Sequence, residues 1–148
     1  MNSAAILSAM LRLAPFSADH FEPSEREALY LPIARAIATV AKTPEEAAAL
    51  ISDGWHESKF SRAVLTGQCS GHQCDKGKAR GAWQVWAWCK ATDATGEARC
   101  VLSQMRLGLE RCGAWEGAFG ALTGSWSCVS MPARVQTQRQ VLAYWGNR

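Results

Sequence analysis

No stretch of this 148-residue chain is long and apolar enough to cross a bilayer, and no alternating run of apolar and polar residues is long enough to make a strand. What remains is a mostly α fold without a membrane span. Basic runs with interleaved aromatics are also missing. The net charge of +3 comes from 16 Lys and Arg set against 13 Asp and Glu scattered along the chain. That excludes nucleic acid as the expected partner and is mildly favourable toward an anionic polymer. There is no internal repeat, no low-complexity tract and no linker-like shift in composition, so residues 1–148 are expected to form one domain and to act as a monomer, with residues 1–22 as an N-terminal helix or extension. The apolar stretch from Ala4 to Leu13 has no basic residue before it, contains Arg12 and lacks a small-x-small cleavage site. It reads as a short helix ended by Pro15 rather than a signal peptide. Composition is otherwise that of an ordinary globular domain, 48% hydrophobic and 20% charged.

Cysteine is present, and its placement is uneven. All six lie between Cys69 and Cys128. An even number confined to the loop-bearing half suggests disulfides and an extracytoplasmic, oxidising location. Six cysteines allow fifteen pairings, which sequence cannot separate. Pairing of chain neighbours is expected: Cys69 with Cys74, Cys89 with Cys100, and Cys112 with Cys128. The competing zinc reading, with Cys69, His72, Cys74 and Cys89 as ligands, has untidy spacing. No metal or cofactor is expected.

Helix signals cover much of the chain. Thr43, Pro44 and Glu46 make a capping box with proline in the first turn, predicting a helix through Ala47, Leu50, Ile51 and Gly54 to about Phe60. Ser24 and Glu27 make a second box, opening a helix toward Leu31; Pro32 is expected to start another that buries Ile33, Ile37 and Val40. Further helices are predicted from Glu97 to Arg111 (Val101, Leu102, Met105 and Leu109 inward), from Ala114 to Leu122, and from Pro132 to Trp145 (Val135 and Leu142 inward). Asp93 and Glu97 read as a solvated loop and helix start, and His56 and His72 as surface residues. Of the seven tryptophans, Trp55, Trp115 and Trp145 read as core.

Glu57 breaks the pattern. At about 100° per residue it lies only about 20° around the helix from Leu50, on the face that Ala47, Leu50 and Ile51 turn inward. Partial desolvation and the negative end of the helix dipole both disfavour its ionised form, as a general acid working near neutral pH requires. The competing reading is a solvated Glu paired with Arg62 or Arg80. Asp53, one turn earlier on nearly the same face, reads as a hydrogen-bonded or salt-bridged residue at a cleft floor.

Downstream, Asp75-Lys76-Gly77-Lys78-Ala79-Arg80-Gly81-Ala82-Trp83-Gln84-Val85-Trp86 sets small residues ahead of an amide flanked by flat aromatic faces. Sugars carry hydroxyls at their edges and C–H groups on their faces, so this mixture suits a saccharide, with one or two of Trp83, Trp86 and Trp88 lining a cleft. Taken in order, Glu57-Ser58-Lys59-Phe60 and Ala79-Arg80-Gly81-Ala82-Trp83-Gln84-Val85 resemble the soluble lytic transglycosylase and goose-type lysozyme superfamily, over roughly residues 43 to 128. The resemblance implies a lysozyme-like helical domain with Glu57 as catalytic acid, Ser58 as its orienting neighbour and Gln84 as a substrate-binding amide. Asp75, with Gly77 and Gly81, matches the Asp-x-Gly-x-x-x-Gly stretch of goose-type lysozymes and would hold or activate water. The family's further aspartate after the Gln-aliphatic pair is replaced by Trp86. Its Tyr-x-(Ser/Thr)-Gly element survives only as Thr123 and Gly124, leaving Phe119 or Trp126 to supply an aromatic surface.

The function implied is cleavage of the β-1,4 bond between N-acetylmuramic acid and N-acetylglucosamine in peptidoglycan, for lysis or remodelling of a cell wall, by a phage endolysin or virion enzyme or by a bacterium. A hydrolase using Asp75, or Asp53, as second carboxylate is the first expectation. Lytic transglycosylation to an anhydro sugar, chitin cleavage, and a non-catalytic carbohydrate-binding protein are the alternatives.

Overall fold

The structure, a computed structural model, describes residues 1–13, 22–69, 71–122 and 128–147. Seven α-helices account for most of these: α1 (Ser3–Leu13), α2 (Pro23–Val40), α3 (Pro44–Ser58), α4 (Arg62–Leu65), α5 (Ala94–Cys112), α6 (Trp115–Ala121) and α7 (Pro132–Gly146). Among the described residues the β-type pairing is a single antiparallel bridge between Arg80 and Val85. The fold is mostly helical, as the sequence implies.

The central helix is α3. The Thr43 hydroxyl accepts from the Glu46 N–H at 3.2 Å, and Pro44 occupies the first turn. Glu46 reaches back to the Lys42 N–H at 2.6 Å and takes a two-pronged bond from Arg106 on α5, at 2.7 and 2.9 Å. The capping side chain thus also ties two helices together. Ala47 to Gly54 are buried without a break, because α3 is covered on several sides, by α7 and by α1, α2 and α5. The helix ends at Ser58, whose hydroxyl donates to the Gly54 carbonyl and accepts from the Phe60 N–H, while Lys59 takes the left-handed closing conformation. Phe60 then folds back into the core against Tyr30, whose hydroxyl donates to the Phe60 carbonyl.

Two expectations are corrected. Pro32 lies inside one continuous α2 and does not start a new helix. The carbonyl that its missing N–H would serve is that of Ala28, and both residues are exposed, so water can take the lost bond. The Ser24–Glu27 capping box is not formed either: Glu22 holds the cap position and no side chain bonds there. Of the two readings of the N-terminal residues the helix holds, and its Ile6, Leu7, Ala9 and Met10 belong to the main core.

Disulfides join Cys69 to Cys74, Cys89 to Cys100, and Cys112 to Cys128. Cysteines so paired are not zinc ligands. The first closes the loop after α4, the second anchors the segment before α5 onto that helix, and the third ties the end of α5 to the strand of chain leading into α7.

Candidate active site

A cleft of about 480 Å³ opens between α3, the segment 83–88, α5 and the start of α7. Asp53 and Glu57 line it from α3, Trp83, Gln84, Trp86 and Trp88 from the segment 83–88, with Val101, Leu122 and Arg134 completing it. Its size falls in the range of about 300–1,000 Å³ usual for small-molecule sites.

The Gln84 wall is built by a tight reversal. Arg80 and Val85 exchange both backbone hydrogen bonds, at 3.0 and 2.9 Å, so four residues turn between them. Gly81 (φ 67°) and Gln84 (φ 47°) both take left-handed backbone there. A Cβ built on Gly81 would fall inside the carboxylate of Glu97, which packs directly onto the turn. Glu97 is therefore buried rather than solvated as expected; burial pushes its carboxyl up, Arg80 pulls it down and Asp93 adds to the rise. The Gln84 amide donates to the Gly81 carbonyl at 2.9 Å, which fixes its orientation. Gln84 is only 8% exposed, and its Oε1 is buried with no protein partner. A glutamine in left-handed backbone with an unserved buried acceptor is costly, and such costs concentrate where a ligand supplies the missing bond.

The three aromatic residues divide by depth. Trp83 is buried, its indole N–H donating to the Leu50 carbonyl at 2.9 Å, so it joins the wall to the acid-bearing helix. Trp86 and Trp88 are 43% and 51% exposed, although indole is strongly apolar, and both line the cleft.

On α3, Glu57 keeps 34% of its side chain exposed. Burial pushes its carboxyl above the usual range, with Lys59 pulling against the shift. Its ion-pair partner is neither Arg62, which binds Glu25 at 2.9 Å, nor Arg80, whose guanidinium donates to the Cys89 carbonyl. It is Arg134, which contacts Glu57 through one terminal nitrogen and Asp53 through the other. Asp53 is 2% exposed. Arg134 is itself mostly buried, and burial pulls its guanidinium down to about 10, so it remains charged at neutral pH. Its backbone is held too, the Ser52 hydroxyl donating to the Arg134 carbonyl at 2.6 Å. Beside it, His56 meets the Thr137 hydroxyl at 3.0 Å and is half-buried rather than a surface residue; burial first, then Lys59, hold its imidazole below the usual value.

The structure thus brings Glu57, Gln84, Trp83 and Trp86 together. Ser58 is buried beneath them as a helix-ending cap. Phe119 is fully buried against Trp115 and is not among the cleft-lining residues. Asp75 is exposed, in left-handed backbone (φ 52°) within the turns His72–Gly77 that the first disulfide closes, and does not line the cleft either. Thr123, Gly124 and Trp126 lie outside the described residues. Arg134 and Trp88 complete the cleft. No local pattern marks Arg134, which is 77 residues from Glu57. Compared with models of known families, with curated proteins and with solved structures, the chain matches none.

Proposed function

We propose that the chain is a glycosidase that cleaves the β-1,4 bond between N-acetylmuramic acid and N-acetylglucosamine in peptidoglycan, with Glu57 as general acid. The observation that carries this reading is one cleft lined by a half-buried carboxyl discouraged from ionising, by a glutamine whose buried amide oxygen has no protein partner, and by two exposed indoles. The indoles would stack on sugar C–H faces, and Gln84, once its side chain turns toward the cleft, would offer its amide oxygen to an acetamido N–H or a hydroxyl. Glu57 protonates the glycosidic oxygen as the C1–O bond breaks and oxocarbenium character develops.

Completion without an added water is favoured over hydrolysis. Among the described residues lining the cleft the second carboxylate is Asp53, and it is buried and engaged by Arg134, whereas Asp75 is not at the cleft. No lining carboxylate is therefore free to activate water on the far face of the sugar. The substrate's own acetamido oxygen would instead attack C1. Its 6-hydroxyl then displaces that oxygen, giving up its proton to the Glu57 carboxylate and leaving a 1,6-anhydro sugar.

Clearing of a cell-wall suspension by the wild-type chain, and a loss of about 10²–10⁴ in rate or more in a folded Glu57→Gln variant, is the expected result. Full activity in that variant removes Glu57 from the mechanism. Product masses lower by one water than the hydrolysis product identify the anhydro sugar. Saccharide binding without turnover makes the protein a carbohydrate-binding module, and cleavage of chitin alone moves the substrate to unmodified N-acetylglucosamine chains.

A further inference from the structure

Arg134 offers two carboxylates one guanidinium. Asp53 and Glu57 stand four residues apart on the same face of α3, and Arg134 enters from the first turns of α7 with a separate nitrogen on each. Asp53 is the deeper of the two, buried at the cleft floor, and an isolated carboxylate there would have to discharge. Asp53 is thus the partner placed to compensate the cation at depth, while Glu57 meets the same guanidinium from the more exposed side. The register is not left to the ion pair alone. Ser52 holds the Arg134 carbonyl, His56 meets Thr137, and the Gln138 amide donates to the Glu45 carbonyl at 3.0 Å, so α7 is fixed along α3.

We propose that Asp53 and Arg134 form a positioning pair for Glu57, which holds its carboxyl in place while withholding most of the guanidinium's charge from it. This rests on the reading of Glu57 as the acid of the cleft. The charged or titratable groups near Glu57 are Asp53, His56 and Lys59 from α3 and its end, and Arg134 from α7; the 83–88 wall, α5 and the end of α6 present Trp83, Gln84, Trp86, Trp88, Val101 and Leu122, all uncharged. Burial can then keep Glu57 above its ordinary value in spite of an arginine in contact, which on its own would pull it well down.

The two partners are predicted to act with opposite sign. In Asp53→Asn the guanidinium charge falls on Glu57, and its titration midpoint should drop by about 1–3 units. In Arg134→Gln the midpoint should rise, because the hydrogen bond to the anion is lost. The test is carboxyl ¹³C NMR titration of the full chain labelled at glutamate, with Glu57→Gln identifying the resonance and amide dispersion checking the fold. If Asp53→Asn fails to fold, Asp53→Ser takes its place, since a rise in Arg134→Gln alone follows from any arginine contact. Midpoints that stay put, or move the same way in both, overturn the proposal. The alkaline limb of wall cleavage should follow the midpoints. A wild-type chain that cleaves no wall overturns the glycosidase reading, while the midpoints still judge the pair.

Discussion

Glu57 shows what a single misplaced residue type can reveal, since a carboxyl on the inward face of a helix has to be tolerated for some reason. Helical geometry made its orientation legible from sequence. Its partner was not, because contact across 77 residues leaves no local trace and Arg134 follows an ordinary proline-led helix start. Asp75 misleads for the converse reason: a motif spacing specifies neighbours along the chain, not which side of a turn faces the cleft. Gly81 is the residue whose role can be tested most directly. Gly81→Ala asks for left-handed backbone from a residue with a Cβ and drives that Cβ into Glu97. A loss of stability of about 1–3 kcal/mol in denaturant unfolding is expected, accompanied by weaker saccharide binding as Gln84 shifts. Stability lost with binding intact would show that Gln84 is placed independently of the turn.

Elements were more legible than sites. The capping residues of α3 sit as their chemistry requires, and the periodic stripes of α5 and α7 mark the right faces. The continuous α2 was not legible, because a proline on a solvent-facing side costs only a bond that water can replace, whereas the sequence carries no sign of which side faces out. The three cross-links joined chain neighbours, and they differ in what they hold. Cys69–Cys74 closes a separation of five residues at the surface, away from the cleft, whereas Cys112–Cys128 spans sixteen and anchors the chain entering α7, on which Arg134 rides. Chain-entropy arguments give the longer closure more stabilisation. Replacing Cys112 and Cys128 by serine should thus lower the melting temperature more than replacing Cys69 and Cys74, and should also reduce cleavage measured well below the transition. The reverse order would place the working strain of the fold in the small loop.

For the whole molecule, the buried carboxyls set how stability follows pH. Burial raises Glu57 and Glu97 in the folded state, so the native chain holds protons there that the unfolded chain releases at about 4.3. That contribution is complete below the unfolded value and is lost as pH rises through the raised folded values. Glu46 runs the other way: its bond from Arg106 lowers it, giving stability present above the unfolded value and lost as pH falls. His56, held low by burial, adds stability as pH rises toward the unfolded imidazole value and so opposes the carboxyls there; Glu97→Gln should make melting temperature fall less as pH rises, and Glu46→Gln should flatten the decline on the acid side. An unchanged alkaline slope in Glu97→Gln would mean that Glu97 is charged and compensated by Arg80.

The different depths of the cleft tryptophans also give the protein its own optical label. Trp83 is enclosed and hydrogen-bonded, while Trp86 and Trp88, about half exposed, are the described tryptophans most open to a quencher such as iodide. A saccharide lying across the cleft should shift the intrinsic fluorescence to the blue and shield it from that quencher, with no dye attached and no bond broken. Binding could then be followed in Glu57→Gln, where turnover is silent, and absence of both changes at saturating saccharide would mean that the exposed indoles do not touch the sugar.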